Sequence, residues 1–373
     1  MRAINPKTIG LTATVPVEVL LAAGAEPMDL NNVFITSEDP RALVAEAQRR
    51  SFPANSCAWI KGIYATARRL GVRRVIGVAQ GDCSSTGALM EIFASEGIEV
   101  IEFNYPYPKE AAALEEAIER LARRLGTTRK AAESERRRLH PVRRTLAEVD
   151  RLTWQENKVT GEENHRWLVG ASDFGGDPEV YRREAEAFLA EARGRQARTD
   201  RVRLGCLGIP PIASGLHEFL EARGAHVVFN EFQRQFSMLS AVADPPTENL
   251  VEQYLAYTYP YGVNGRIEDI RRAVRERRLG GLVHYVQTFC FRGIQDRLLR
   301  EAADVPVLTV EFDRPGPPCS REHLSLQGPL DAQSRTRLEA FVEMLQGRAG
   351  APPFDLAQGG PSMVEGPPEG DAS

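Results

Sequence analysis

Apolar residues in this chain gather in short runs separated by longer stretches with helical spacing. The runs at 75–79 (VIGVA), 100–103, 202–207, 226–229, 281–286 and 307–311 carry little polar alternation, which predicts strands buried on both faces. Near the N-terminus, Val15, Val19, Leu20 and Ala23 fall on one helical face, Gly24 fits a C-terminal cap and Pro27 ends the helix before a strand. A loop through Pro53, Asn55 and Ser56 leads into a helix marked by Ile60, Ile63, Tyr64 and Ala67. Ser84, Ser85 and Thr86 are good caps for a helix to about residue 95. Further helices are expected over 178–195, 215–223, 267–278, 293–303 and 333–345.

The stretch 111–151 is helical and basic, with Arg136, Arg137, Arg138, Arg143 and Arg144, and Pro141 is expected to break it. Its charges read as a solvated helical face rather than an anion site. Strands alternating with helices imply a parallel sheet in each half. The expected organisation is an N-terminal α/β domain at 1–110, a helical connecting segment at 111–198, a C-terminal α/β domain at 199–346 and a Pro/Gly-rich disordered tail at 347–373.

With 373 residues the chain is long enough for two cores, and a net charge of −4 argues against a nucleic-acid partner. No apolar run approaches the ~20 residues of a membrane helix, and the N-terminus lacks the apolar core and cleavage site of a signal peptide. A cytoplasmic location is expected. The cysteine count of five is odd and small for a disulfide framework, so reduced thiols or metal ligands are expected.

Three of those cysteines, Cys57, Cys83 and Cys290, each lie at a strand end or helix start, and none belongs to a CxxC pair. Backbone N–H groups and the helix dipole favour a thiolate at such places. One thiolate per distant loop suggests a cluster held between two domains, with one iron left open to substrate. Cys206, inside an apolar strand, reads as core, and Cys319, in RPGPPCSREH, is either free or a fourth ligand. Ser56 and Ser84 flank cysteines and serve as helix caps or as hydrogen-bond donors to cluster or substrate. His284, on the strand leading to Cys290, is either a core histidine or a proton donor. GxxxxGK[ST], HExxH, GxSxG and GxGxxG after a strand are all missing.

Four segments carry a resemblance to a known family: PVEVLLAAGAEPMDL at 16–30, the Cys57 and Cys83 pair across a helix and strand, GGLVHYVQTFC at 280–290, and PVLTVEFD with RTRLEAFVEML at 306–313 and 335–345. The chain resembles the D-component (dehydratase-subunit) family of 2-hydroxyacyl-CoA dehydratases, which includes the benzoyl-CoA reductase subunits. The resemblance implies two flavodoxin-like (Rossmann-like) parallel-sheet domains with an intervening helical segment. It implies a [4Fe–4S] cluster on Cys57, Cys83 and Cys290, an ATP-hydrolysing iron–sulfur activator protein, a homologous second subunit or self-dimer, and an acyl-CoA substrate. The activity implied is ATP-dependent radical (ketyl) dehydration of a 2-hydroxyacyl-CoA. The alternatives are a non-catalytic or electron-relay homologue, or a reductase of another small molecule. Where many members carry Pro-Cys-Pro-type residues this chain reads TYPYGVNGR at 258–266, and the usual tyrosine after the Glu-x-Asp strand is replaced by DRPGPPCSREH.

Overall fold

The computed structural model describes residues 4–200, 202–288, 290–315 and 330–349; Cys319 and residues 350–373 of the expected tail lie outside the described residues, while its first residues, 347–349, are not a disordered tail but the last turn of the helix Ala332–Ala349. Strands β1 (Thr8–Leu11), β2 (Glu26–Asp29), β3 (Arg74–Gly77) and β4 (Glu99–Glu102) form one parallel sheet in the order β2-β1-β3-β4. Strands β5 (Val202–Leu207), β6 (Ala225–Asn230), β7 (Gly281–Gln287) and β8 (Val307–Phe312) form a second parallel sheet in the order β6-β5-β7-β8. Each order is that of the first four strands of a flavodoxin-like fold, so the expected α/β class is the observed one.

The apolar runs become strands because only a sheet covered on both faces removes them from water. Every residue of β6 and β7 is buried, and in β5 only Arg203 is not fully so. The edge strand β4 exposes Glu99 and Glu102, and Glu99 pairs with Arg74 at 3.2 Å and Arg124 at 2.7 Å. Charges on an edge discourage pairing with another chain.

The basic stretch after β4 resolves into three helices, Ala111–Arg124, Arg129–Arg138 and His140–Trp154. Gly126, at φ +74°, turns the chain, and Thr128 caps the second helix by accepting from the Ala131 N–H. Pro141 begins the third helix rather than breaking one, because its missing N–H falls in a first turn where no intrahelical partner exists. The basic residues do not all face solvent either. Arg136 and Arg143 are buried, with Arg143 1% exposed, since both find carbonyl or carboxylate partners in segments distant in sequence.

Glu18, which meets Arg143, lies in the N-terminal helix, whereas the Arg136 partner belongs to a segment of the second half that folds back on the first. Met238, Leu250, Tyr254 and Tyr257 pack into one core with Ile9, Leu11, Ile76 and Ile101 of the first sheet. The N-terminal sheet is thus completed by residues that lie more than 130 positions beyond its last strand.

At the end of β5 the backbone makes a turn that only glycine tolerates. Gly208 has φ +94°, and a Cβ there would collide with the Tyr285 carbonyl oxygen. Its N–H donates to Glu231 Oε2 at 2.8 Å. Gly208→Ala is expected to cost about 2–3 kcal/mol, read as a lower urea midpoint at unchanged slope.

Candidate functional site

In open parallel sheets, ligands bind outside the carboxyl ends of the strands, where the strand order reverses. In this protein that point lies between β1 and β3 in one sheet and between β5 and β7 in the other. The segments leaving all four strands line one cavity of about 220 Å³. Thr12 and Thr14 follow β1, Asp82 and Cys83 follow β3, Ile209 and Pro210 follow β5, and Cys290 and Arg292 follow β7. Cys57 joins them from the connection between β2 and β3.

All three cysteines stand at helix starts. Cys57 is the N-cap of Ala58–Leu70 and Cys83 that of Ser84–Ser95, while Cys290 lies two residues before Arg292–Ala302. Cys83 and Cys290 occupy equivalent places in the two halves, each after the third strand of its sheet. Cys57 has no such counterpart, because the equivalent helix Val263–Glu276 is capped by Gly262.

The balance at these sulfurs differs from the expectation that a helix start favours a thiolate. Burial pushes the Cys57 thiol up to about 12, against the Ile60 and Trp59 backbone N–H groups that favour its anion. Burial likewise raises Cys83, with the nearby Asp82 charge adding to it and Thr86 opposing. Cys290 is raised by burial against the Arg292 backbone and charge. The helix termini are in place, but desolvation outweighs them. Such thiols are poor nucleophiles on their own, and a metal would have to displace their protons.

A polar shelf surrounds them. The Asp82 carboxylate accepts from the Thr86 hydroxyl at 2.6 Å and from the Tyr259 hydroxyl at 2.6 Å, and burial raises its pKa. Thr86 Oγ1 is also 3.5 Å from Cys83 Sγ. Across the cleft, Asp313 accepts from the Gln287 amide and from the Ala58 N–H at 3.4 Å, so the second half caps the helix that begins beside Cys57. Trp59, Ile60, Ile63 and Ile35 supply an apolar wall.

The other residues singled out from the sequence take different places. Ser84 lines the cavity and is exposed. Ser56 donates to the Pro53 carbonyl at 2.8 Å and is not among the lining residues. His284 is wholly buried in β7, its Nδ1 2.7 Å from Asp296 Oδ1, its Nε2 without a partner among the described residues, and it too lies off the cavity lining. Cys206 is 2% exposed inside β5 and its thiol pairs with His217.

Sequence reasoning missed His165 and Arg292, which both line the cavity. His165 has a buried Nδ1 with no partner among the described residues, and burial together with the His217 charge pushes its pKa down to about 4, so the ring is neutral near pH 7. Its helix, Gly161–Gly170, opens on a Thr160/Glu163 capping box, a signal legible in the sequence. The six histidines are dispersed along the chain, and only folding sets the His165 ring 5.0 Å from that of His217.

Among the described residues, no helix is long and apolar enough to cross a membrane. No curated protein matches the chain. Residues 12–345, however, match the family model described as 2-hydroxyglutaryl-CoA dehydratase, D-component. The match begins just after β1 and takes in β2 to β8 and the cavity-lining segments that follow all four strands, so this chain belongs to the 2-hydroxyglutaryl-CoA dehydratase D-component family.

Proposed function

We propose that this protein is the iron–sulfur subunit of an ATP-dependent dehydratase. It would act on a 2-hydroxyacyl-CoA by way of a ketyl radical of the substrate and accept a low-potential electron from an ATP-hydrolysing activator protein. The observation that carries the reading is the meeting of Cys57, Cys83 and Cys290, from three separate helix starts, around one cavity in a chain of this family. A set of three thiols suits iron–sulfur ligation. Among the described residues, no three His, Cys, Asp or Glu side chains converge on a point that would hold a single ion. A cubane asks for something else, because its thiolates bind different irons and must come close to one another without meeting at a single ion.

When bound, the cluster would supply one low-potential electron and, at an iron without a thiolate, a Lewis-acid site. The remaining tasks fall to the chain. Trp59, Ile60 and Ile63 keep water from a radical at the cavity wall. Asp82, its carboxyl raised by burial, is placed to hold a proton, and the neutral His165 ring is placed to accept one at Nδ1. The Ser84 hydroxyl orients an oxygen of the substrate.

Exposed Phe291, Ile294 and Leu298 (Ile294 81%) form an apolar stripe on the helix that follows Cys290. We assign this stripe to the contact with the second, homologous subunit. Ile294→Glu is expected to weaken that association about 10-fold or more, read by sedimentation of the mixed subunits, with the fold of the single chain unchanged.

The reading is tested by turnover. The anaerobically reconstituted protein, with activator and ATP, should convert a 2-hydroxyacyl-CoA to the enoyl-CoA only when ATP is present. A loaded protein that turns over no thioester in a panel of short-chain, branched and aromatic substrates would point to an electron-relay subunit instead.

A further inference from the structure

Arg292 is in an unusual state for a buried guanidinium. It is 3% exposed and lines the cavity. Its Nη2 donates to the Tyr259 carbonyl at 2.8 Å, and Nη1, also buried, has no hydrogen-bond partner among the described residues. Three aromatic rings enclose it, with centroids at 4.2 Å (Tyr259), 4.9 Å (Phe232) and 4.9 Å (Phe291). Asp82 is close enough for its charge to be felt, but its two oxygens already accept from Thr86 and Tyr259. A desolvated cation with a free donor is costly unless an anion meets it. The rings lower that cost through their faces but leave Nη1–H unsatisfied.

The anion that fits is next to it in sequence, since Arg292 follows Cys290 by two residues on the same cavity wall. An oxidised cubane with three thiolates carries one net negative charge, and its reduced form carries two. A fixed cation with a free N–H therefore stabilises the reduced state more than the oxidised one. We propose that Arg292 is a positioning and tuning residue for the cluster, giving its free Nη1–H to the cluster's sulfur and holding the reduction potential up. This rests on the iron–sulfur reading of Cys57, Cys83 and Cys290 and goes beyond it by naming the group that sets how strong a donor the electron must come from.

The experiment is a dithionite titration, followed by the EPR signal of the reduced cluster, on the anaerobically reconstituted full chain and on Arg292→Gln and Arg292→Lys. Iron analysis comes first. An iron-free wild type would overturn the cluster reading and this inference with it. With wild-type iron in Arg292→Gln, the inference expects the equilibrium for one-electron reduction to weaken at least tenfold, a shift of about 59 mV to more negative potential. Arg292→Lys keeps the charge and loses the planar fork, so a smaller shift of the same sign is expected. A purely structural Arg292 would lower occupancy without moving the potential, and equal midpoints at full iron would overturn the proposal. If Arg292→Gln loses its iron, the midpoint of Arg292→Lys decides in the same way: a negative shift supports the proposal and an unchanged value overturns it.

Discussion

Anaerobically reconstituted wild-type protein is expected to hold about four irons per chain, and Cys290→Ala fewer than about one. In the proposed site, losing one of three thiolates would remove a covalent anchor and leave only Cys57 and Cys83, both from the first half, to hold the cluster. Replacing partners that merely orient metal ligands costs about 10–100-fold in affinity or activity, and a ligand itself should cost at least as much. Cys206→Ala is the control. That thiol is 2% exposed within β5 and does not line the cavity, so its iron content should stay at the wild-type level. Iron, acid-labile sulfide and the EPR spectrum after reduction check all three proteins. Equal iron in wild type and Cys290→Ala would remove the second half from the proposed site.

Arg143→Met should be the most destabilising substitution away from the cavity, by about 3–5 kcal/mol. Glu18, in the first turn of the helix Val17–Ala22, is wholly buried, and Arg143 Nη2 meets its Oε1 at 2.6 Å. The Gln253 amide joins the pair by accepting from Arg143 Nη1 at 3.2 Å and donating to Glu18 at 2.7 Å, and the Tyr254 hydroxyl donates to Oε2 at 2.9 Å. The network ties the N-terminal helix, the helix His140–Trp154 and the returning segment Leu250–Leu255 together. Removing the arginine alone strands a buried carboxylate. Replacing both, as in Glu18→Leu/Arg143→Met, should recover much of the loss, because the desolvation of both charges is then avoided. Denaturant unfolding of the two single variants and the double variant closes the cycle.

The same pair fixes a pH dependence. Burial works against the Glu18 anion, but the Arg143 charge and the Gln253 and Arg143 hydrogen bonds outweigh it, and the pKa lies below its ordinary value. A depressed carboxylate stabilises the fold in full above its unfolded pKa, and the contribution is lost as pH falls through the folded value. Stability should therefore hold in mildly acidic buffer and drop in the wild type only as pH falls below the ordinary glutamate pKa of about 4.3, and that part of the drop should be missing in Glu18→Leu/Arg143→Met.

Much of the fold was legible because the signals are local. Apolar runs marked six of the eight strands, and the four runs expected in the second half coincide closely with β5 to β8, the run at 202–207 in full. The strand Thr8–Leu11 escaped because four residues with a glycine in the middle leave little pattern. Helix starts at Cys57 and Cys83 could be read from the polar residues beside them. The burial of Arg136 and Arg143 was out of reach, because a basic helix looks the same in sequence whether its arginines meet water or a carboxylate brought from far away.

By itself the sequence determined where strands and helices alternate, and hence that Cys57 stands at a helix start and that Cys83 and Cys290 follow strand ends, since each such assignment depends on a few neighbouring residues. Only the tertiary structure decided that both switch points open on one cavity, that burial overrides the helix dipole at each sulfur, and that His165 and Arg292 face the same space. Those properties depend on desolvation and on contacts between segments far apart in the chain, and no local pattern of residue types encodes them.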